Sequence, residues 1–271
     1  MSWLGLEKKV IIVTGGGLGI GRAICEALAA EGARVVIADF NDEAGAKAVA
    51  ELKAKHGGDA LFVKTNIAVP ADVKAMVAKV VETFGTVDIV VNNAGINIPR
   101  LLVDPAGKEE MNEESWDRVF DINVKGMFLV SQEAGRVMVK NKKGVILNMS
   151  SESGQEGSEG QSAYAASKAA NHNMTRSWAK ELGKHGVRVV GLAPGILEAT
   201  ALRSEAYEKG LAYTRGISVE QLRAGYEKVS IPIGRPGKLS EVADTVAFLI
   251  SERASYIHGT TVNISGGKSR G

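Results

Sequence analysis

The sequence predicts an α/β domain in which a doubly wound parallel sheet of about seven strands is covered by helices on both faces. Three observations predict it. Short runs that are apolar at consecutive positions alternate with longer amphipathic stretches along the whole chain. A strand covered on both faces shows no polar side, so such runs fit parallel pairing better than a half-solvated antiparallel sheet. A glycine cluster over Gly15–Gly21 separates the first apolar run from the first helical pattern, where a tight strand-to-helix turn is needed.

Val10–Val13 reads as the first strand. Ile20, Ala23, Ile24, Ala27 and Leu28 then recur at helical spacing, and Gly32 stops that helix. Val35–Ala38 and Leu61–Val63 read as the next two strands. Ala71–Phe84 repeats the helical design, with Val73, Val77, Val80 and Val81 inward and Gly85 closing it. Ile89–Val91 is the fourth strand and Val145–Met149 the fifth, with one long helix over Ser115–Lys140 between them. A second long helix over Ser162–His185 precedes Val187–Leu192 and, later, Thr261–Ile264. No linker or low-complexity segment interrupts this rhythm, so residues 1–271 read as a single domain. About residues 196–237 the chain turns polar, charged and helical, without a strand. Ligands of such sheets sit at the carboxyl ends of strands, and this excursion leaves one such end. It reads as a helical substrate lid; an oligomer contact is the plainer alternative.

Composition removes several classes of function. Against 33 basic residues stand 31 acidic ones, a formal +2, which argues against a strongly basic nucleic-acid binder. With 45% hydrophobic and 24% charged residues, the chain is globular rather than disordered. The single cysteine, Cys25, falls inside the first helix, excludes an internal disulfide and fits a reducing compartment. No apolar run approaches membrane-spanning length, and Met1–Lys9 lacks the apolar core of a signal peptide. The expectation is a soluble cytoplasmic protein with neither nucleic acid nor membrane as a partner. His56, His172, His185 and His258 lack metal-ligand spacing, so no metal is expected. Trp3, Trp116 and Trp178 read as packing or interface residues.

Thr14-Gly15-Gly16-Gly17-Leu18-Gly19-Ile20-Gly21 lies after a strand and opens a helix. Glycines let a backbone approach a pyrophosphate, and the helix start offers free N–H groups and a positive dipole end. Asp39, at the end of the next strand, stands close to the expected interval of about 20 residues. Its carboxylate suits ribose hydroxyls, and a 2′-phosphate would meet like charge there, costing on the order of 4 kcal/mol. No Arg or Lys in Gly15–Gly21 or Phe40–Asn41 compensates, so the cofactor expected is NAD. A capping or solvated aspartate is the alternative.

Tyr164 and Lys168 stand four apart, on one helix face. An adjacent ammonium favours phenolate, and bringing a phenol from about 10 to about 7 takes roughly 4 kcal/mol. Ser151, just past the fifth strand, offers a hydroxyl to a substrate oxygen. Thr14–Gly21, Asn92-Asn93-Ala94-Gly95, Ser151, Tyr164-Ala165-Ala166-Ser167-Lys168 and Pro194-Gly195 together resemble the short-chain dehydrogenase/reductase family, in the family's order. The resemblance implies a Rossmann-type fold, often in a homotetramer. It implies Tyr164 as general acid/base, Lys168 tuning it and binding the nicotinamide ribose, Ser151 holding the reacting oxygen, and Asn123 completing a proton relay. It assigns cofactor contacts to Gly15, Leu18, Gly19, Ile20 and Gly21, to Asp39 and Phe40, to Asn93, Ala94 and Gly95, and to Pro194, Gly195 and Leu197. Asn66, with Ile67 after it, stands where the family more often has aspartate beside the adenine. The threonine that usually follows Pro-Gly closely is delayed to Thr200, with Glu198 nearer.

The segments Asn97–Pro105, Ser151–Gln161, Pro194–Thr200, Tyr213–Gly216 and Gly266–Gly271 further resemble family members that oxidise phosphorylated sugar alcohols with NAD. Glu152, Glu156, Glu159 and Gln161 supply acceptors for hydroxyls, where a fatty-acyl substrate would want apolar walls. Arg100, Arg203 and Arg215 are candidates for a substrate phosphate, each with the alternative of a solvated arginine. With Ser151 and Tyr164, the expected substrate contacts are Glu152, Glu198 and these arginines. Lys268 and Arg270 read as reaching a neighbouring subunit's site. Two other functions stay open: a dehydrogenase of another polyol or keto substrate, and a non-catalytic NAD-binding sensor or scaffold.

Overall fold

The computed structural model describes residues 3–200, 203–227 and 231–269. Among them one parallel sheet has the strand order β3-β2-β1-β4-β5-β6-β7. The strands are β1 (Val10–Thr14), β2 (Arg34–Asp39), β3 (Ala60–Lys64), β4 (Ile89–Asn92), β5 (Gly144–Met149), β6 (Val187–Pro194) and β7 (Thr261–Ile264). All seven strands read from the sequence are present.

Alternate positions of each strand serve opposite faces, which explains the unbroken apolar runs. Ile11, Val13, Val35 and Ile37 pack on one face with Ile24 and Leu28 of α1 (Gly19–Ala30). Leu52 of α2 (Asp42–His56) and Val242 and Val246 of α10 (Leu239–Ile250) join the same face. Val10, Ile12, Val36 and Val90 pack on the other, against Val73 and Met76 of α3 (Pro70–Phe84) and Val130 and Met138 of α5 (Met127–Asn141). Fully burying each such side chain contributes about 1.5–3 kcal/mol. The helices α2 and α10 carry no expectation from the sequence, and α10 completes the α1 face.

The long helix expected over Ser115–Lys140 is broken. It forms α4 (Glu113–Phe120), a π-helical turn at Asp121–Gly126, and then α5. The widened turn lets one residue bulge out of the α repeat, a common device beside functional sites. After the short α6 (Ser153–Glu156), the second long helix is α7 (Ser162–Leu182), with a 3-10 turn at Gly183–His185. The excursion after β6 holds α8 (Glu205–Thr214) and α9 (Val219–Glu227), with no strand among its described residues. Their small core is Leu211, Ala212 and Leu222.

Side-chain caps close α2, α4 and α8. Asn41 accepts from Ala44 N at 3.0 Å, Asn112 from Ser115 N at 2.8 Å and Ser204 from Tyr207 N at 3.2 Å. The N-cap of α1 is Leu18, whose side chain accepts nothing, so its first-turn amides face the crevice end of the sheet without a side-chain partner. The chain passes from β1 outward to β3 and returns to β4 beside β1, and at that reversal a crevice opens.

Candidate active site

A cavity of about 1340 Å³ lies at the carboxyl ends of the strands, between the glycine loop and α8–α9. Its nucleotide end is made of backbone. Gly15 has φ +64°, and a Cβ on Gly21 would lie 2.0 Å from the Gly15 carbonyl oxygen, so neither position accepts a side chain without movement. Thr14 Oγ1 accepts from Asn93 N and Ala94 N, both at 3.0 Å, and the Asn93 amide donates to Thr14 O at 3.0 Å and Gly15 O at 3.2 Å. These bonds join the β1 loop to the β4 loop. Asp39 accepts from Gly17 N and Asn41 N, both at 2.9 Å, which fixes its carboxylate at the rim. Phe40 is exposed beside it, and Asn66 holds its own turn by accepting from Ala68 N at 3.1 Å. Glycines where a Cβ would collide, uncapped helix amides and a rim carboxylate form a donor set that fits a dinucleotide.

Below β4 a buried amide chain stiffens the floor. The Asn92 amide donates to Ser131 Oγ at 2.8 Å and Asn148 Oδ1 at 2.9 Å, and the Asn148 amide donates to Thr175 Oγ1 at 2.9 Å. Asn123, carried by the π-helical turn, is 1% exposed and sits behind the cavity wall. Its amide donates to Ile96 O at 2.9 Å and Ser167 Oγ at 3.0 Å, and its oxygen accepts from Ile96 N at 2.8 Å. Gly95 leaves a gap there: a Cβ on it would lie 3.1 Å from Asn123 Oδ1 and 3.5 Å from Lys168 Nζ.

Tyr164 and Lys168 project from α7 as their spacing predicts, with Nζ 5.7 Å from the tyrosine ring centroid. Lys168 Nζ donates to Met149 O at 2.8 Å. Burial pushes Tyr164 up; the Ser151 hydroxyl, bonded to it, opposes that, and the Glu152 charge adds to it. Burial also brings Lys168 down to about 8. Burial disfavours the charged form of each group, because both are shielded from water. Burial likewise pushes the Cys25 thiol up to about 12, which fits its role as a packing residue.

The matching family model, short chain dehydrogenase, covers residues 9–210. The chain belongs to that family. This short-chain dehydrogenase is 54% identical to a sorbitol-6-phosphate 2-dehydrogenase of Klebsiella pneumoniae, over 100% of this chain and 99% of that one. It is 39% identical to the 3-oxoacyl-(acyl-carrier-protein) reductase FabG of Thermotoga maritima, over 97% and 98%. The crystal structure of gox2181 superposes with a TM-score of 0.85 at 39% identity, covering 97% of this chain and 96% of that one. Membership makes the chain an oxidoreductase with a nicotinamide-cofactor site and a Rossmann-type sheet.

The substrate end of this short-chain dehydrogenase is made of side chains. Ser151, Glu152, Glu198, Arg203 and Arg215 line the cavity with Tyr164, as do Glu156 and Gln161. Arg203 lies over the Tyr226 ring, 4.0 Å from its centroid, and its Nη2 donates to Leu197 O. Arg215 Nη2 donates to Ser158 Oγ at 3.3 Å, while its Nε is shielded and has no partner. Glu198 accepts from Leu239 N at 2.7 Å, so one of its oxygens caps α10. Thr200 lines the cavity despite its delayed position.

Two expected contacts fall elsewhere. Arg100 is off the cavity lining, its Nη1 committed to Pro99 O at 2.8 Å and to the Glu109 carboxylate. The loop carrying it folds back on itself around Asp104, and Glu109 of that loop supplies Arg100 with its local counter-charge. Glu159 is exposed and does not line the cavity. Lys268 lines the cavity of its own chain, and Arg270 lies outside the described residues.

Sequence reasoning missed Tyr207, Tyr226 and Asp104. Gln161 Nε2 donates to Tyr207 OH at 2.7 Å, and burial pushes that phenol up. Asp104 accepts from the amides of Ala106, Lys108 and Glu109 and from Tyr213 OH at 3.0 Å, which holds its carboxyl down at about 2. Aromatics recurring in a polar helical insertion were the available signal for the tyrosines. Asp104 had none, since its partner lies 109 residues away. Among the described residues no helix is long and apolar enough to cross a membrane.

Proposed function

We propose that the chain interconverts D-sorbitol 6-phosphate and D-fructose 6-phosphate with NAD. The observation that carries this reading is one cavity lined together by Ser151, Tyr164 and Lys168, by hydroxyl acceptors and by the two arginines Arg203 and Arg215. Guanidinium groups suit a phosphate through paired N–H bonds. The full-length 54% identity to a sorbitol-6-phosphate 2-dehydrogenase supports the same substrate.

When bound, the nicotinamide accepts hydride from the carbon undergoing oxidation. Ser151 holds the reacting oxygen. Tyr164 takes the alcohol proton in oxidation and returns it in reduction. Lys168 orients the ribose, and Gly95 lets the backbone pass close to both Lys168 Nζ and Asn123 Oδ1. Because burial raises the Tyr164 phenol, its base form grows with pH, so polyol oxidation climbs toward alkaline pH while ketose reduction does not. Asp39 with its exposed neighbour Phe40 supports NAD over NADP.

The test is NADH formation by purified protein with D-sorbitol 6-phosphate, beside D-sorbitol and beside NADP. Background rates on the phosphate with good turnover of another polyol would replace the substrate; equal rates with NADP would remove the cofactor choice. We place the protein in the cytoplasm as a homotetramer by family resemblance, and light scattering checks the assembly. The reductase relatives acting on acyl carriers do not favour a second reading, because Glu152, Glu156 and Gln161 bring hydroxyl acceptors into this cavity.

A further inference from the structure

Glu152 follows Ser151 directly and lines the same cavity, yet it is only 7% exposed. Lys268 Nζ donates to its Oε1 at 2.5 Å. Among the described residues its Oε2 is shielded and has no hydrogen-bond partner. A buried carboxylate oxygen without a donor is costly, and such an orphan at a cavity wall points to a ligand that supplies the donor. Gly195 packs closely beside it: a Cβ there would lie 3.0 Å from Oε2 and 2.8 Å from Ser265 Cα, so a larger residue would displace the carboxylate. Lys268 arrives with fixed geometry. Gly266 and Gly267, at φ +63° and +86°, turn the chain after β7. The Asn263 amide then fastens the segment, donating to Ser269 Oγ at 2.5 Å and Gln155 Oε1 at 3.1 Å.

We propose that Glu152, held by Lys268, reads a substrate hydroxyl flanking the reacting carbon by accepting its hydrogen bond at Oε2. The ligand class is a vicinal polyol, and the inference rests on the polyol reading given above. An acyl chain brings no donor to that place and leaves the oxygen orphaned, which is how a polar site rejects an isostere. Lys268 is a positioning residue: it occupies Oε1 and leaves Oε2 as the one open acceptor. Lys268 is the cation paired with this carboxylate, and the carboxylate charge disfavours the Tyr164 phenolate.

Kinetics on D-sorbitol 6-phosphate and its 1-deoxy and 3-deoxy analogues, with NAD, test the assignment. In Glu152→Gln, Lys268 claims the amide oxygen and leaves an NH₂ where Oε2 was, which cannot accept. In the unaltered protein, loss of the recognised hydroxyl lowers kcat/KM about tenfold or more; in Glu152→Gln the same deletion costs little. Lys268→Met raises KM and moves the pH profile of oxidation to more alkaline values, because the carboxylate loses its counter-charge beside Tyr164; Lys268→Arg restores both. Background turnover of D-sorbitol 6-phosphate by the unaltered protein would overturn the substrate reading and this inference together. Good turnover with equal deoxy penalties in both proteins would overturn the Glu152 role alone. Should Glu152→Gln fail to fold, an unchanged KM and pH profile in Lys268→Met would do the same.

Discussion

On the β1–β4 side, the crevice is built from backbone, glycines and short amides, each fixed to a neighbouring strand loop. Beyond β5 it is built from long side chains that arrive on the lid and the C-terminal segment. The first construction leaves few rotamers to choose and suits an invariant ligand such as a dinucleotide. The second can be altered one side chain at a time, which is how one fold serves many substrates. Tyr164 and Lys168 stand at the seam between the two.

The largest expected effect is at that seam. Tyr164→Phe keeps the ring against Lys168 and loses the proton carrier, so turnover falls about a thousandfold while cofactor affinity by titration calorimetry stays unchanged. Gly21→Ala tests the backbone half. Its Cβ would lie 2.0 Å from Gly15 O, so we expect a stability loss of about 1–3 kcal/mol and weakened cofactor binding, the same with every substrate. Arg203→Leu combined with Arg215→Leu tests the side-chain half. The preference for phosphorylated over free polyol should drop about tenfold to a hundredfold, with cofactor affinity intact. If either change moved both affinities, the division between halves would fail.

Lys168→Met sharpens the seam through stability. The folded pKa of Lys168 is about 8 against 10.5 for the free group, so between those values the unfolded chain binds more protons and stability rises with pH. Below about pH 8 the buried ammonium is a standing cost. The variant should therefore be about 1–3 kcal/mol more stable at pH 7 by denaturant melts, with the gain fading toward pH 10 and activity lost. The smallest effect is Tyr213→Phe. Asp104 keeps its three backbone donors but loses the lid tie, so KM rises within about tenfold and kcat is unchanged.

Much of the backbone half was legible before any coordinates. Gly15, Gly19, Gly21 and Asp39 stand at intervals set by one strand–turn–helix–strand unit, Asn93 was implied by the family resemblance, and all of them line the cavity. The π-helical turn under Asn123 was not legible, because Ser115–Lys140 carries an unbroken helical pattern and the bulge is imposed by packing against α7 and the β4 loop. The arginines were legible only as a set of candidates. Arg100 has the right composition around it, and only the fold of its own loop pairs it with Glu109.

The sequence by itself determined the seven strands, the crevice and the spacing of the Tyr164–Lys168 pair, because each follows from an unbroken apolar run, a 3.6-residue repeat or a short fixed interval. Tertiary structure alone decided which charges meet. Glu152 and Lys268 are 116 residues apart, Asp104 and Tyr213 are 109 apart, and loop paths without periodicity bring them together. The physical reason is that backbone geometry is local and side-chain pairing across a fold is not.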